Sequence, residues 1–299
     1  MFTNNPEYFS ASLENLIFEY ESDEVKDLTV EIRDAYTLGE IGNKLFFSSS
    51  HIFINVAPYL RHLSEPTPNI GASGQVEDMG ARGAVILFRG VDASSPCKFI
   101  KNSIDAPLEG LLAASSLQRT IAPDEQDIIA IRSSQNINIS ASAYLPSGEL
   151  SVQSLYDISA EDDDIFFFRL NAADFPSAAA IDLSIDWGEA SSTINYTIVR
   201  RAERQVRIAW INSMGGTEHY SFPRIESESI DESGKRVIGC TSAYEPYETI
   251  AALGEASFAP YAWLVDESGY RPITIQSGTF NIIVDGELSL AELKFSEDV

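Results

Sequence analysis

The chain has 299 residues, 44% hydrophobic and 10% aromatic, which excludes a disordered chain and suffices for two or three ordinary cores. Its 45 acidic and 20 basic residues give a formal charge of −25; with no basic patch to release phosphate counterions, no nucleic-acid partner is expected. No apolar run approaches the length of a bilayer span, so no membrane insertion is expected, and two cysteines do not make a disulfide scaffold.

The opening MFTNNPEYFSASLENLIFEY has no basic stretch followed by an apolar one, so no secretory signal is expected and the chain reads as made in a cytoplasm. Residues 16–20 are a first run of strand length. Leu28, Val30 and Ile32 then alternate with Thr29 and Glu31, and Ile52, Ile54 and Val56 alternate with His51, Phe53 and Asn55. Such period-2 patterns predict strands with one buried and one wet face. Residues 66–83, rich in Pro, Gly and Ser, read as a long loop inside a first domain. Residues 107–118 (PLEGLLAASSLQ) predict a short helix with Pro107 in its first turn and Leu108, Leu111 and Leu112 inward. The stretch RSSQN at 132–136 reads as a joint between domains.

Further along, Ile137, Ile139 and Ala141 alternate with Asn136, Asn138 and Ser140, and Ser147-Gly148 marks a turn. The acidic run Glu161-Asp162-Asp163-Asp164 precedes a strand at 165–170. Ile181, Leu183, Ile185 and Trp187 give the cleanest alternation, followed by Ile194, Tyr196 and Ile198 and then Val206, Ile208 and Trp210. Residues 223–234 are charged and read as the exit from a second sandwich, and residues 249–253 predict one helical turn. Ser233-Gly234, Ser268-Gly269 and Asp285-Gly286 are hairpin signals, the last the strongest. Together these features predict an all-β chain of tandem antiparallel β-sandwich (jelly-roll-like) domains with few short helices. The expected domains are 1–132, 133–222 and 223–299, the last a β-rich segment that can pack with the central one. Cys97 and Cys240 read as small buried thiols, with their pairing left open.

The search for chemistry returns little. No metalloprotease, phosphate-loop, nucleophile-elbow or dinucleotide motif occurs, and Gly71-Ala72-Ser73-Gly74 falls one residue short of a nucleophile elbow. His51, His62 and His219 lack metal-ligand spacing, and the acidic run at 161–164 lacks the spacing that wraps calcium. No catalytic, cofactor-binding or metal-ligating residue is therefore expected, and the chain reads as a non-enzyme.

Residues 208–222 read IAWINSMGGTEHYSF. Trp210, Asn212, Gly215, Gly216, Glu218, Tyr220 and Phe222 form a hairpin-like unit in which large aromatics supply core area and two glycines permit positive φ at the bend. This pattern resembles a signature of tail-module proteins of Bacteroidetes phages and prophages. Two further stretches are similar to that family: residues 16–63, with Ile54, Val56, Tyr59, Leu60 and Arg61, and residues 263–295. The likeness covers roughly a third of the chain, and its motifs are structural. It implies a virion location and a distal-tail or baseplate-adaptor role, with no cofactor, in a homo-oligomeric ring or cluster alongside other virion proteins. Candidate contact elements are the 66–83 loop, the acidic residues Asp162, Asp163 and Asp164, and the basic residues Arg200, Arg201, Arg204 and Arg207. The alternative is a non-catalytic carbohydrate- or receptor-binding sandwich presenting Tyr244, Tyr247 and Trp263.

Overall fold

The computed structural model describes residues 1–6, 9–11, 15–34, 38–59, 66, 68–76, 82–88, 94, 97–100, 109–159, 163–201 and 203–297, with the backbone alone at 9–11, 82–88 and 97–100. The chain is all-β, with a few short helices and two compact units. One unit comprises residues 1–66 and 80–104, the other residues 67–79 and 105–299.

In the first unit a long hairpin, Ile17–Asp34 with Glu40–Asn55, is flanked by Phe2–Asn4 and Arg82–Phe88. The alternation noted above holds: Phe18, Tyr20, Leu28, Val30, Ile32, Ile52 and Ile54 are buried in one cluster, with the Phe2 ring edge-on to Phe18 and Tyr20. The runs at 16–20 and 28–32 are parts of one strand, not two. Between them the stretch 21–27 interrupts the apolar pattern and pairs only through Glu21 and Lys26, with register shifts on either side of Lys26.

The second unit opens with a sandwich. One sheet orders Gly74–Gln75, Asp164–Asn171, Gln126–Ser133 and Gly110–Leu111; the other orders Leu150–Ile158, Ile137–Tyr144, Ala180–Trp187, Ala190–Ile198 and Gln118–Ile121. Ile129, Ile131, Phe168 and Leu170 from the first meet Ile139, Ile181, Leu183, Ile185, Ile194 and Tyr196 from the second. Of the stretch 132–136, Arg132 and Ser133 end one strand of this core and residues 134–136 are the turn to the next, with Ile131 and Ile137 buried in the same cluster. The helix expected at 107–118 does not form over the described residues 109–118. Gly110–Leu111 pairs with Gln126–Ser133, and Gln118 begins a strand parallel to Ala190–Ile198. The leucine spacing is still used, since Leu112 is buried.

The remaining strands form a nine-stranded sheet that turns a corner. Gly269–Ile275 pairs with Ala262–Asp266 through residues 269–272 and with Leu288–Glu297 through residues 273–275, so one strand serves two layers. Ile208, Trp210, Phe222, Leu264, Leu293 and Phe295 fill the space between the layers. The helix Tyr247–Leu253, where a single turn was expected at 249–253, adds Ile250 and Leu253 to that core. Glycines with positive φ stand at the expected hairpins, Gly148, Gly234, Gly269 and Gly286. Cys240 is a free, buried thiol; the side chain of Cys97 lies outside the described residues.

Residues 66–83 were expected to be loose and to belong to the first domain. Pro66 belongs to the first unit and Arg82-Gly83 opens one of its strands, but residues 68–76 are strapped onto the second unit. Asn171 Nδ2 donates to the Gly71 carbonyl (2.7 Å), Asn171 N to Ser73 Oγ (2.9 Å), and Ser73 N to Asp174 (2.6 Å). Arg169 reaches Ala72 and Asn69, and Val76 N donates to the Phe167 carbonyl (2.8 Å). Gly and Ser make this segment look free in sequence, but side chains about a hundred positions away satisfy its backbone.

Candidate functional site

The most constrained place in the second unit is where the strands Val206–Ile211 and Thr217–Phe222 meet the sandwich strand Gln126–Ser133. Both Val206–Ile211 and Gln126–Ser133 are buried along their whole length, so neither has a wet face. The polar residues that alternate along them are therefore buried with their charges, and such charges persist only when paired.

Arg207 Nη1 lies 3.1 Å from Glu125 Oε2, and its Nη2 donates to Asp127 and to the Gln126 carbonyl (2.9 Å). Arg119 joins Asp127 (3.1 Å) to Glu218 (3.0 Å). Glu218 is fully buried; it accepts from Ala114 N (2.7 Å), from Ser115 and from Asn212 Nδ2 (3.0 Å). Burial alone would raise the Asp127 pKa, but Arg207 and Arg119 outweigh it and hold the carboxyl below its ordinary range. Burial likewise opposes the charge on Arg119, and Glu218 and Asp127 overcome it, raising its pKa.

The bend of this hairpin explains its sequence. Asn212 Oδ1 accepts from Met214 N (3.0 Å) and Gly216 N (2.9 Å), and Nδ2 donates to the Leu112 carbonyl (2.8 Å). Of the two glycines only Gly215 has positive φ, at 85°. Gly216 is needed for a different reason: a Cβ there would collide with the Leu112 carbonyl oxygen. The Trp-x-Asn-x-x-Gly-Gly-x-Glu pattern is thus a fastener holding residues 112–119 against the hairpin.

His219 sits beside the network with its side chain fully buried. Its Nε2 is 2.8 Å from the Tyr270 hydroxyl, and Nδ1 has no hydrogen-bond partner among the described residues. Burial lowers its pKa to about 3, Asp127 pulling upward and Arg207 and Arg119 adding to the drop. At neutral pH it is an uncharged imidazole, so the 3.7 Å approach to Asp127 is not an ion pair. Ser115, Asp127, His219 and Ser221 border a cavity of about 50 Å³. Ser221 Oγ is engaged with Glu125 and Arg207, and Ser115 Oγ with Glu218 and Arg119, so neither hydroxyl is joined to the imidazole as a nucleophile is joined to its base.

No protein-family model and no curated protein matches the chain. Among solved structures it is similar to Ig-domain proteins. These include the complex of Dpr2 with DIP-Theta (6% identity, 100% of this chain and 90% of that one, TM-score 0.21) and a three-domain titin fragment (10%, 100% and 88%, 0.20). An eight-domain DSCAM fragment matches at 6% identity over 100% of this chain and 53% of that one, with a TM-score of 0.22. At these scores the likeness carries no argument about what the chain does.

Trp210, Asn212 and Phe222 are buried, and the hydroxyl of the half-buried Tyr220 accepts from Ala243 N (3.1 Å). The basic group disperses. Arg200 is exposed, Arg201 lies 3.3 Å from Asp124, Arg204 lies 3.9 Å from Glu228, and Arg207 is buried in the network and has no surface role. Asp163 pairs with Arg132 (2.9 Å), Asp164 accepts from Ile165 N (2.8 Å), and Asp162 lies outside the described residues, as do Leu60 and Arg61. Trp263, expected on the surface, is 4% exposed and faces Tyr270 edge-on (6.3 Å). Arg119, Glu125 and Asp127 were missed; the available signal was charge embedded in a run, EQDIIAIR, otherwise too apolar for an exposed strand.

Proposed function

We propose that the chain is a non-catalytic structural subunit of a virion, of the tail or baseplate kind, that works by assembling with further copies of itself and with neighbouring virion proteins. The observation that carries this reading is the strand Asn281–Asp285. All five of its residues are exposed, among them Ile282, Ile283 and Val284 in succession. Among the described residues it pairs with Leu288–Glu297 alone, so its other edge is open. Such an edge is a template for a further chain, and monomeric proteins blunt it with charge, proline or a bulge. Leu288, also exposed, pairs with Pro246, which brings the exposed Tyr247 beside the same row. The tail assignment itself rests on the resemblance of residues 208–222.

Size-exclusion chromatography with light scattering tests assembly, and proteomics of purified particles tests location. A chain of charge −25 repels its copies, so association through an apolar row strengthens as salt screens that repulsion. A monomer at every concentration and salt, absent from particles, defeats the reading.

A second reading, a carbohydrate- or receptor-binding sandwich, draws on Tyr244 and Tyr247, each more than half exposed, at 55% and 54%. Binding to a glycan array that Tyr244→Ala and Tyr247→Ala abolish, without change in self-association, favours it.

A further inference from the structure

We propose that Glu19, Glu21 and His51, on the outer face of the long hairpin in the first unit, form a binding site for a divalent transition-metal ion of the zinc class. The site follows from strand register. Phe18, Tyr20, Ile52 and Ile54 point into the core, so Glu19, Glu21, His51 and Phe53 share the opposite face. Glu21 is the direct cross-strand partner of His51, and Glu19 is the partner of Phe53, one diagonal step away. His51 Nε2 lies 2.5 Å from Glu19 Oε1 and 4.0 Å from Glu21 Oε1, and one ligand atom from each residue falls within 4.8 Å of the others.

Three groups that bind through lone pairs thus converge on one point. The two carboxylates repel one another and favour a cation between them; the imidazole meets Glu19 either by donating from Nε2 or, with its proton on Nδ1, by sharing a metal ion with it. Glu19 is already engaged by the imidazole, whereas Glu21 stands at a distance suited to closing on a shared ion. A tetrahedral zinc site places its ligands about 3.3 Å apart, from bonds of about 2.0–2.2 Å, so a small rotation of partly exposed side chains completes it, with water in the remaining position. The imidazole selects against calcium and magnesium, which take oxygen ligands. The neighbouring Phe53 ring, 4.7 Å from the imidazole centroid, limits how far His51 can swing. Past Glu21 the ladder shifts register in a bulge, a feature that often re-aims side chains beside sites.

The test is zinc binding to the full chain, measured by competition with a chromophoric chelator at physiological salt and excess magnesium. Cobalt serves as the spectroscopic probe. One saturable zinc per chain is expected. His51→Ala abolishes that site, and Glu19→Gln and Glu21→Gln each weaken it at least about tenfold. All three positions are on a wet face, and circular dichroism checks that the variants stay folded. Absence of a saturable site in the unmodified chain overturns the proposal, as does equal binding by His51→Ala or by both glutamine variants, since the ion is then held elsewhere.

Discussion

Gly216 lies so close to the carbonyl oxygen of Leu112 that a methyl group on it would overlap that oxygen, and Asn212 bridges the two, accepting from the Gly216 amide and donating to the Leu112 carbonyl. Gly216→Ala therefore has to push backbone against backbone. It is expected to lower unfolding stability by about 1–3 kcal/mol, read from urea titrations. Gly215→Ala meets another penalty, positive φ, and should cost about 1 kcal/mol. Equal and negligible effects would mean the close approach is not maintained in solution.

The arginines separate into buried and exposed. Removing the cation in Arg207→Met leaves Glu125 and Asp127 in the interior with one partner fewer, at an expected loss of about 3–5 kcal/mol. Arg204→Met, at a side chain 70% exposed, should change stability by less than about 0.5 kcal/mol. A chevron or equilibrium denaturation series distinguishes the two. Similar small losses would show that Arg207 is solvated.

Acid should weaken the second unit for a definable reason. His219 has a folded pKa of about 3 against 6.5 in a free chain, so across that window the unfolded state takes up a proton that the folded state refuses. Stability contributed by the neutral imidazole is whole above pH 6.5 and falls as pH drops toward 3. Asp127, held below its ordinary value, adds a further loss once pH falls below its unfolded pKa. In His219→Gln the slope of stability against pH between 6.5 and 4.5 should be shallower by up to about 1.4 kcal/mol per pH unit. An unchanged slope would place the titration elsewhere.

The exposed strand Asn281–Asp285 offers the sharpest control on assembly. Ile282→Lys and Val284→Lys add charge to an edge whose side chains already face water, so folding should be unaffected, while self-association measured by light scattering should fall at least about tenfold. Retained association would move the interface to another surface, such as the outer strand Leu150–Ile158, where Leu150 and Val152 are also exposed.

Sequence alone determined the things that depend on near neighbours along the chain. Alternation in 181–187 named the buried face because successive side chains in a strand point opposite ways, and Asp285-Gly286 named a hairpin because few residue pairs tolerate its backbone. The same logic misled where a strand is covered on both sides. Val206–Ile211 and Gln126–Ser133 hide Arg207 and Asp127 because a second layer closes over them, and no local period records that layer. The strapped segment 68–76, the role of Gly216 and the meeting of Glu19, Glu21 and His51 are of the same kind. Each joins groups about thirty to a hundred positions apart. The tertiary structure decided them, because register and layer packing fix distances between groups that the chain itself leaves free.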